Sequence, residues 1–518
     1  MTASSDSRRV RRMATLATLV AATALAACGG GSDSPAPAPT PTPSPAPAPT
    51  PAPTPSPAPS PSPSPSPAAD RIEPYDPSAT RSLSARAATV QSIVPRAVVA
   101  SSATAQLALE PLADGALPPP AKGIGVATQI GVARAVPQLA SAAALAARLQ
   151  WVPTDRGTQV AALRVTSPGA KGVRLGLRVE ALPEGALLRF YAQPGGELFE
   201  VTAAEVLATV QRNLQAGVPD EEARTYWSPD FGGAETTLEL ELLNVAAVAG
   251  LRLALPRVSH NVLSAQDLES QGFRTKVGES GSCQVDVTCR PEYADQSRSV
   301  ARLYFVRGGS GYYCTGTLLN DRASSGTPYL LTANHCISTQ AEASTLVTNW
   351  FYRSATCNSS AINPGTQRRT GGATFLYGTS ATDTTLLRLN EAAPEGVVYA
   401  GSYFGSYASG TALAGVHHPN ADLQKLSEGA LSYFANCANS SCTSTTQENG
   451  NFMGLAWTNG VTEVGSSGSA VFQTLGSKRY VVGQLLGGAS SCSVPSALDF
   501  YGRFDRAYNS ALQRWLNP

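Results

Sequence analysis

Charge of a single sign is missing from this sequence: 38 lysines and arginines meet 37 aspartates and glutamates across 518 residues. No global basic field is available to hold a nucleic acid, and no acidic tail to meet a cationic partner. Nucleic acid is therefore not expected as a partner. Histidine is scarce, with four in all, and no two cysteines stand at Cys-x-x-Cys spacing, so the common zinc-binding arrangements have no ligand set. No metal or other cofactor is expected. Between about residues 150 and 260 there is no cysteine and a single histidine, His260, and nothing there points to catalysis.

The chain is too long for one hydrophobic core, since cores stop growing near ~250 to 300 residues and longer chains divide. Two folded domains with tails are expected. At the start, Arg8, Arg9, Arg11 and Arg12 precede an apolar run from Met13 to Ala27 that closes on Leu25-Ala26-Ala27-Cys28. This is the layout of an export signal, and its end resembles a bacterial lipobox. The resemblance implies a signal peptide over 1–27, lipidation of Cys28 and anchoring through buried acyl chains. Gly29 after the cysteine implies the outer membrane, so the expected location is an outer membrane lipoprotein, or a secreted protein after processing.

Residues 28–69 read as a linker. From 35 onward they are almost entirely Pro, Ala, Ser and Thr, a composition that buries no core and stays disordered or extended at ~3.1 Å per residue, on the order of 100 Å in all. Residues 70–276 read as a second region, loosely ordered to about 150 and then β-rich. In its first part only Leu139 to Leu149 has a convincing helical composition, and Pro118, Pro119 and Pro120 interrupt it. In its second part Val173, Leu175, Leu177 and Val179 alternate with period two, as do Leu238, Leu240 and Leu242. From 277 to 518 short apolar runs such as Arg302 to Val306, Tyr329 to Thr332, Leu386 to Leu389 and Tyr480 to Leu485 are separated by Gly, Ser and Asn clusters. That rhythm predicts an all-β barrel or sandwich.

Setting Cys28 aside leaves eight cysteines, at 283, 289, 314, 336, 357, 437, 442 and 492. Even parity in an exported chain predicts four disulfides, with on the order of a hundred ways to pair them.

Three short segments carry the chemistry. Gly465-Ser466-Ser467-Gly468-Ser469 surrounds a serine with small residues, as a nucleophile needs if the backbone is to turn sharply and aim two amides at an oxyanion. Leu331-Thr332-Ala333-Asn334-His335-Cys336 delivers a histidine from an apolar strand into a short disulfide loop, with Cys314 of Tyr313-Cys314-Thr315-Gly316 as the expected partner. Asp383, opening the apolar strand Thr384-Thr385-Leu386-Leu387, supplies a carboxylate to orient the imidazole. The order His335, Asp383, Ser467 is that of the chymotrypsin type.

With these blocks in place the chain resembles the trypsin-like peptidases, most closely the bacterial lysyl endopeptidases. The likeness runs through Ser280-Gly281-Ser282-Cys283, Thr332 to Cys336, Asn349-Trp350-Phe351-Tyr352, His417-His418-Pro419-Asn420, Gly460 to Ser469, Gly483-Gln484-Leu485 with Gly487-Gly488, and Asp499-Phe500-Tyr501-Gly502-Arg503. It implies a chymotrypsin-like double β-barrel, each barrel six-stranded, with the triad between them and the amides of Gly465 and Ser467 as the oxyanion hole. It also implies the pairs Cys283 with Cys492, Cys289 with Cys357 and Cys314 with Cys336, leaving Cys437 to Cys442 by default.

The position six residues before the nucleophile, acidic in trypsin, is Val461 here. The lysyl enzymes place an aspartate on the opposite wall, and Asp499 matches it, implying a pocket for Lys or Arg. Leu486 stands where those enzymes carry a histidine, and the tryptophan that goes with it has no evident place in the sequence. His417 and His418 read as structural. The expected whole is a serine endopeptidase acting on proteins or peptides, preceded by a propeptide that occupies the cleft until Lys276 is cut. The competing expectation is an inactive protease-fold module that binds an envelope or host protein.

Overall fold

The strands predicted at 172–181 and 235–242 form because alternating apolar residues give each a face that must be covered. In the computed structural model, which describes residues 70–80, 98–99, 103–113, 115–116, 122–192, 197–262 and 280–517, they are Gly172–Ala181 and Glu235–Leu242. The first lies in a four-stranded sheet with Thr225–Trp227, Arg252–Asn261 and Gly131–Ala135, the second in a six-stranded sheet. Leu175 and Leu177 of one meet Leu163, Leu238 and Leu240 of the other in a common core. Helix Ala203–Gln215 also belongs to this N-terminal domain. Its start is a capping box, with Thr202 accepting from the Glu205 amide and Glu205 reaching back to Thr202.

Within the stretch expected to be loosely ordered, 70 to about 150, the described strands are paired with other parts of the chain. Residues 70–80 are strapped to the C-terminal half: Arg71 and Ile72 pair with Tyr403 and Ser402, and Tyr75 and Tyr399 exchange both backbone hydrogen bonds at 2.9 Å. Ile72 is 2% exposed, Glu73 receives Lys478 and Tyr480, and Asp76 pairs with Arg298 at 2.7 Å. Gly401 must lack a side chain, because a Cβ there would lie 2.7 Å from the Ile72 carbonyl oxygen. The helix expected over 139–149 is shortened to Ala142–Ala146, entered through a 3-10 turn Pro137–Leu139 and capped by Ser141.

The C-terminal half is all-β and chymotrypsin-like. Six strands, Lys478–Gly488, Ala470–Leu475, Ala412–His417, Lys425–Ala438, Phe452–Asn459 and Asp499–Arg503, pair in that order, and the last closes on the first. The other barrel is built on Val300–Arg307, Ser310–Leu319, Tyr329–Ala333 and Thr384–Leu389. It departs from six strands, because Gln367–Arg369 pairs only with Val347–Trp350 before the chain turns at Gly371 and Gly372 into Ala373–Thr379. The N-terminal domain adds another strand to the same sheet, Thr128–Gln129 beside Tyr312 and Tyr313. Arg174 of that domain is fully buried, donates to the Thr345 carbonyl at 2.9 Å and lies over the Tyr304 ring.

Four disulfides close the C-terminal half: Cys283–Cys492, Cys289–Cys357, Cys314–Cys336 and Cys437–Cys442. In the last the Cα atoms are 4.0 Å apart, closer than ordinary, because the two residues face each other across a hairpin. Cys28, the linker and Lys276 lie outside the described residues.

Candidate active site

Strand register brings the first two site residues together. Ala333 pairs with Thr384 at the ends of adjacent strands, so His335 and Asp383, just beyond those ends, emerge side by side. Asp383 is held at φ 51°, a left-handed conformation that aspartate tolerates better than most residues. Its carbonyl accepts from the Asn334 amide at 2.9 Å. One carboxylate oxygen accepts from the His335 amide at 2.8 Å, and the other lies 2.7 Å from His335 Nδ1. The Cys314–Cys336 bridge fixes the next residue of the loop.

Ser467 comes from the second barrel on a turn that only glycine can frame. Gly465 and Gly468 have φ of +86° and +82°, and a Cβ on Gly468 would sit 2.3 Å from Thr332 Oγ1 and 2.5 Å from the Thr315 carbonyl oxygen. The turn is tied to both barrels: Thr315 donates its amide to the Ser467 carbonyl at 2.8 Å, and Gly468 donates to Leu485 at 2.8 Å. Among the described residues neither the Gly465 nor the Ser467 amide donates a hydrogen bond, which leaves that pair of donors for a ligand oxygen. Nor, among the described residues, does a hydrogen bond join Ser467 to His335; His335 Nε2 lies 3.7 Å from Cys336 Sγ. Asp383 orients the ring from its Nδ1 side, and contacts between nucleophile and base commonly tighten only in the complex with substrate.

Beneath the turn His417 is clamped between two hydroxyls, Nδ1 2.8 Å from Ser466 Oγ and Nε2 2.9 Å from Ser427 Oγ. His418 puts Nδ1 3.0 Å from the Asp422 carbonyl and stacks on Tyr352. Burial depresses both to about 3, so they are neutral and structural in kind.

Asp499 is wholly buried among polar groups. Its Oδ2 accepts from Trp457 Nε1 at 2.7 Å, Thr462 Oγ1 at 2.6 Å and Ser490 Oγ at 2.5 Å. Its Oδ1 receives Lys122 of the N-terminal domain. The Lys122 ammonium is ringed by four oxygens: the Thr462 and Ser490 carbonyls at 2.6 Å each, Ser490 Oγ at 2.9 Å and Asp499 Oδ1 at 3.1 Å. Burial lowers the ammonium's pKa and Asp499 opposes that. Val461 is buried in the neighbouring core. Leu486 packs with Phe452 and Phe500, against Ile124.

Residues 277–502 match the family described as lysyl endopeptidase, C-terminal domain, and residues 79–262 match the lysyl endopeptidase N-terminal domain. A lysyl endopeptidase from Pseudomonas aeruginosa is 33% identical over 386 residues, 71% of this chain and 78% of its own length. The chain belongs to the lysyl endopeptidase family. Solved structures similar to it include the MamO protease domain from Magnetospirillum magneticum, 12% identical with TM-score 0.30, over 43% of this chain and 99% of that one. An HtrA-type protease, AlgW, with a tripeptide is 15% identical with TM-score 0.30, over 43% of this chain and 62% of that one. As a lysyl endopeptidase homologue the chain is a serine endopeptidase, acting on peptide or protein substrates.

Lys122, Trp457, Thr462 and Ser490 escaped the sequence reading. Lys122 carries one faint signal, since it is the first lysine of the chain and follows three prolines.

Proposed function

We propose that this protein is the precursor of an exported endopeptidase that cuts after lysine through an acyl-enzyme. Ser467 Oγ attacks the scissile carbonyl while His335 takes its proton and Asp383 steadies the imidazolium. The Gly465 and Ser467 amides hold the oxyanion. His335 then returns the proton to the leaving amine, and water releases the acyl group by the same route.

The observation that carries lysine selectivity is the coordination of Lys122. Four oxygens converging on one point suit a compact ammonium with three rotatable donors, whereas a planar guanidinium needs a flat, forked set. The distribution of lysine agrees. The chain's lysines are Lys122, Lys171, Lys276, Lys425 and Lys478, against a far larger number of arginines, so an enzyme selective for lysine finds few sites in itself.

A peptide-library cleavage profile of the processed enzyme tests this. Lysine is expected before every cut, and Asp499→Ala should lower kcat/KM for lysyl peptides by roughly a hundredfold or more, since an unpaired buried charge costs about 2–5 kcal/mol. Equal cutting after Lys and Arg would refute the selectivity. Fluorophosphonate labelling at Ser467 tests the nucleophile. Cleavage at Lys276 and a lipid on Cys28 complete the proposal. N-terminal sequencing should find Val277, and Cys28→Ser should lose partition into detergent.

A further inference from the structure

Residues 122–129 cross the cleft between the barrels. At one end Ile124 pairs antiparallel with Gly487, and Gly125 donates its amide to the Leu486 carbonyl at 3.0 Å. At the other, Thr128 and Gln129 pair with Tyr313 and Tyr312. These docking points flank Ser467, whose carbonyl is bonded to Thr315 and whose neighbour Gly468 is bonded to Leu485. Val126 and Ala127 alone lie between these docking points. Val126 is 47% exposed and does not fill the pocket; Lys122, four residues earlier, fills it.

We infer that residues 122–129 are a built-in inhibitor, holding a lysine as a substrate lysine would be held but in a register that withholds its own peptide bond. The Lys122 peptide bond precedes the one between Val126 and Ala127 by four residues. The pocket is satisfied and no lysyl bond is presented. Gly487 permits this close approach, since a Cβ there would fall 2.1 Å from the Gly123 carbonyl oxygen. The inhibitor is part of the same chain, so dilution does not weaken it until the chain is cut. A precursor therefore cannot use its own pocket on its own linker while Lys122 is in place. The first cut comes from a second, open molecule, and processing accelerates as open enzyme accumulates.

This rests on the lysine pocket proposed above, and the test separates the two. The uncut Ser467→Ala chain is treated with N-hydroxysuccinimidyl acetate and each lysine followed by mass spectrometry. Lys122 should react at least tenfold more slowly than exposed Lys171, and equal rates would overturn the inference. In the same background Lys122→Ala and Lys122→Glu, the second repelled by Asp499, should bind the primary ammonium of n-butylamine at least tenfold more tightly than the parent; unchanged affinity in both would also overturn it. Failure of the pocket reading shows separately, as processed enzyme without lysine preference.

Discussion

Asp383 grips His335 at two points, one carboxylate oxygen on the backbone amide at 2.8 Å and the other beside Nδ1 at 2.7 Å. An amide side chain in its place can satisfy one contact but offers a donor, not an acceptor, to the other, favouring the wrong imidazole tautomer. Asp383→Asn should lower kcat by about a thousandfold to ten-thousandfold with little change in KM or folding. Steady-state kinetics on a lysyl ester and a thermal melt decide it; a kcat within tenfold of wild type would show that Asp383 does not serve His335.

Acid should attack the protein through His417 and His418. Both are pushed down to about 3 in the fold, while an unfolded histidine titrates near 6.5. The folded value is the lower, so their contribution is whole above about pH 6.5 and is lost as pH falls from there towards 3. His418 Nε2 is buried with no partner among the described residues, and its ring stacks on Tyr352. His418→Phe keeps the ring and removes the proton site. Denaturant titrations between pH 6 and 4 should show proton uptake on unfolding reduced by about one; an unchanged slope of stability against pH would contradict this.

The disulfides should differ in worth. Cys283–Cys492 spans 209 residues and Cys437–Cys442 only 5. Loop-closure entropy assigns about 5 kcal/mol to the first and about 2 kcal/mol to the second. Paired Cys→Ser variants compared by chemical denaturation should keep that order, and a reversed order would show that strain or residual unfolded structure dominates.

The strap at 70–80 belongs energetically to the barrel it touches. Ile72→Ala should destabilise the C-terminal half by about 2 kcal/mol or more, as for a buried isoleucine. The check is hydrogen exchange at Phe404 and Tyr399, whose amides donate to Asp70 and Tyr75. Protection unchanged by the substitution would mark the strap as incidental.

Much of this was legible in the chain because it is local. Alternation fixed Gly172–Ala181 and Glu235–Leu242, glycines at 465 and 468 announced the turn at Ser467, and the apolar runs before His335 and after Asp383 named the strands that carry them. The helix Ala203–Gln215 was missed, although Thr202 and Glu205 stand at capping-box spacing. What sequence could not supply is anything that depends on two distant segments meeting without a pattern of their own. Residues 70–76 have no periodicity, and their order comes wholly from the strand edge at Gly401–Tyr403 and the charged groups at Lys478 and Arg298. The ammonium site on Asp499 gathers Thr462, Ser490 and Lys122 from 37, 9 and 377 residues away. Single hydrogen-bonding groups leave no spacing rule along a chain, and only the closed barrel brings them within reach of one another.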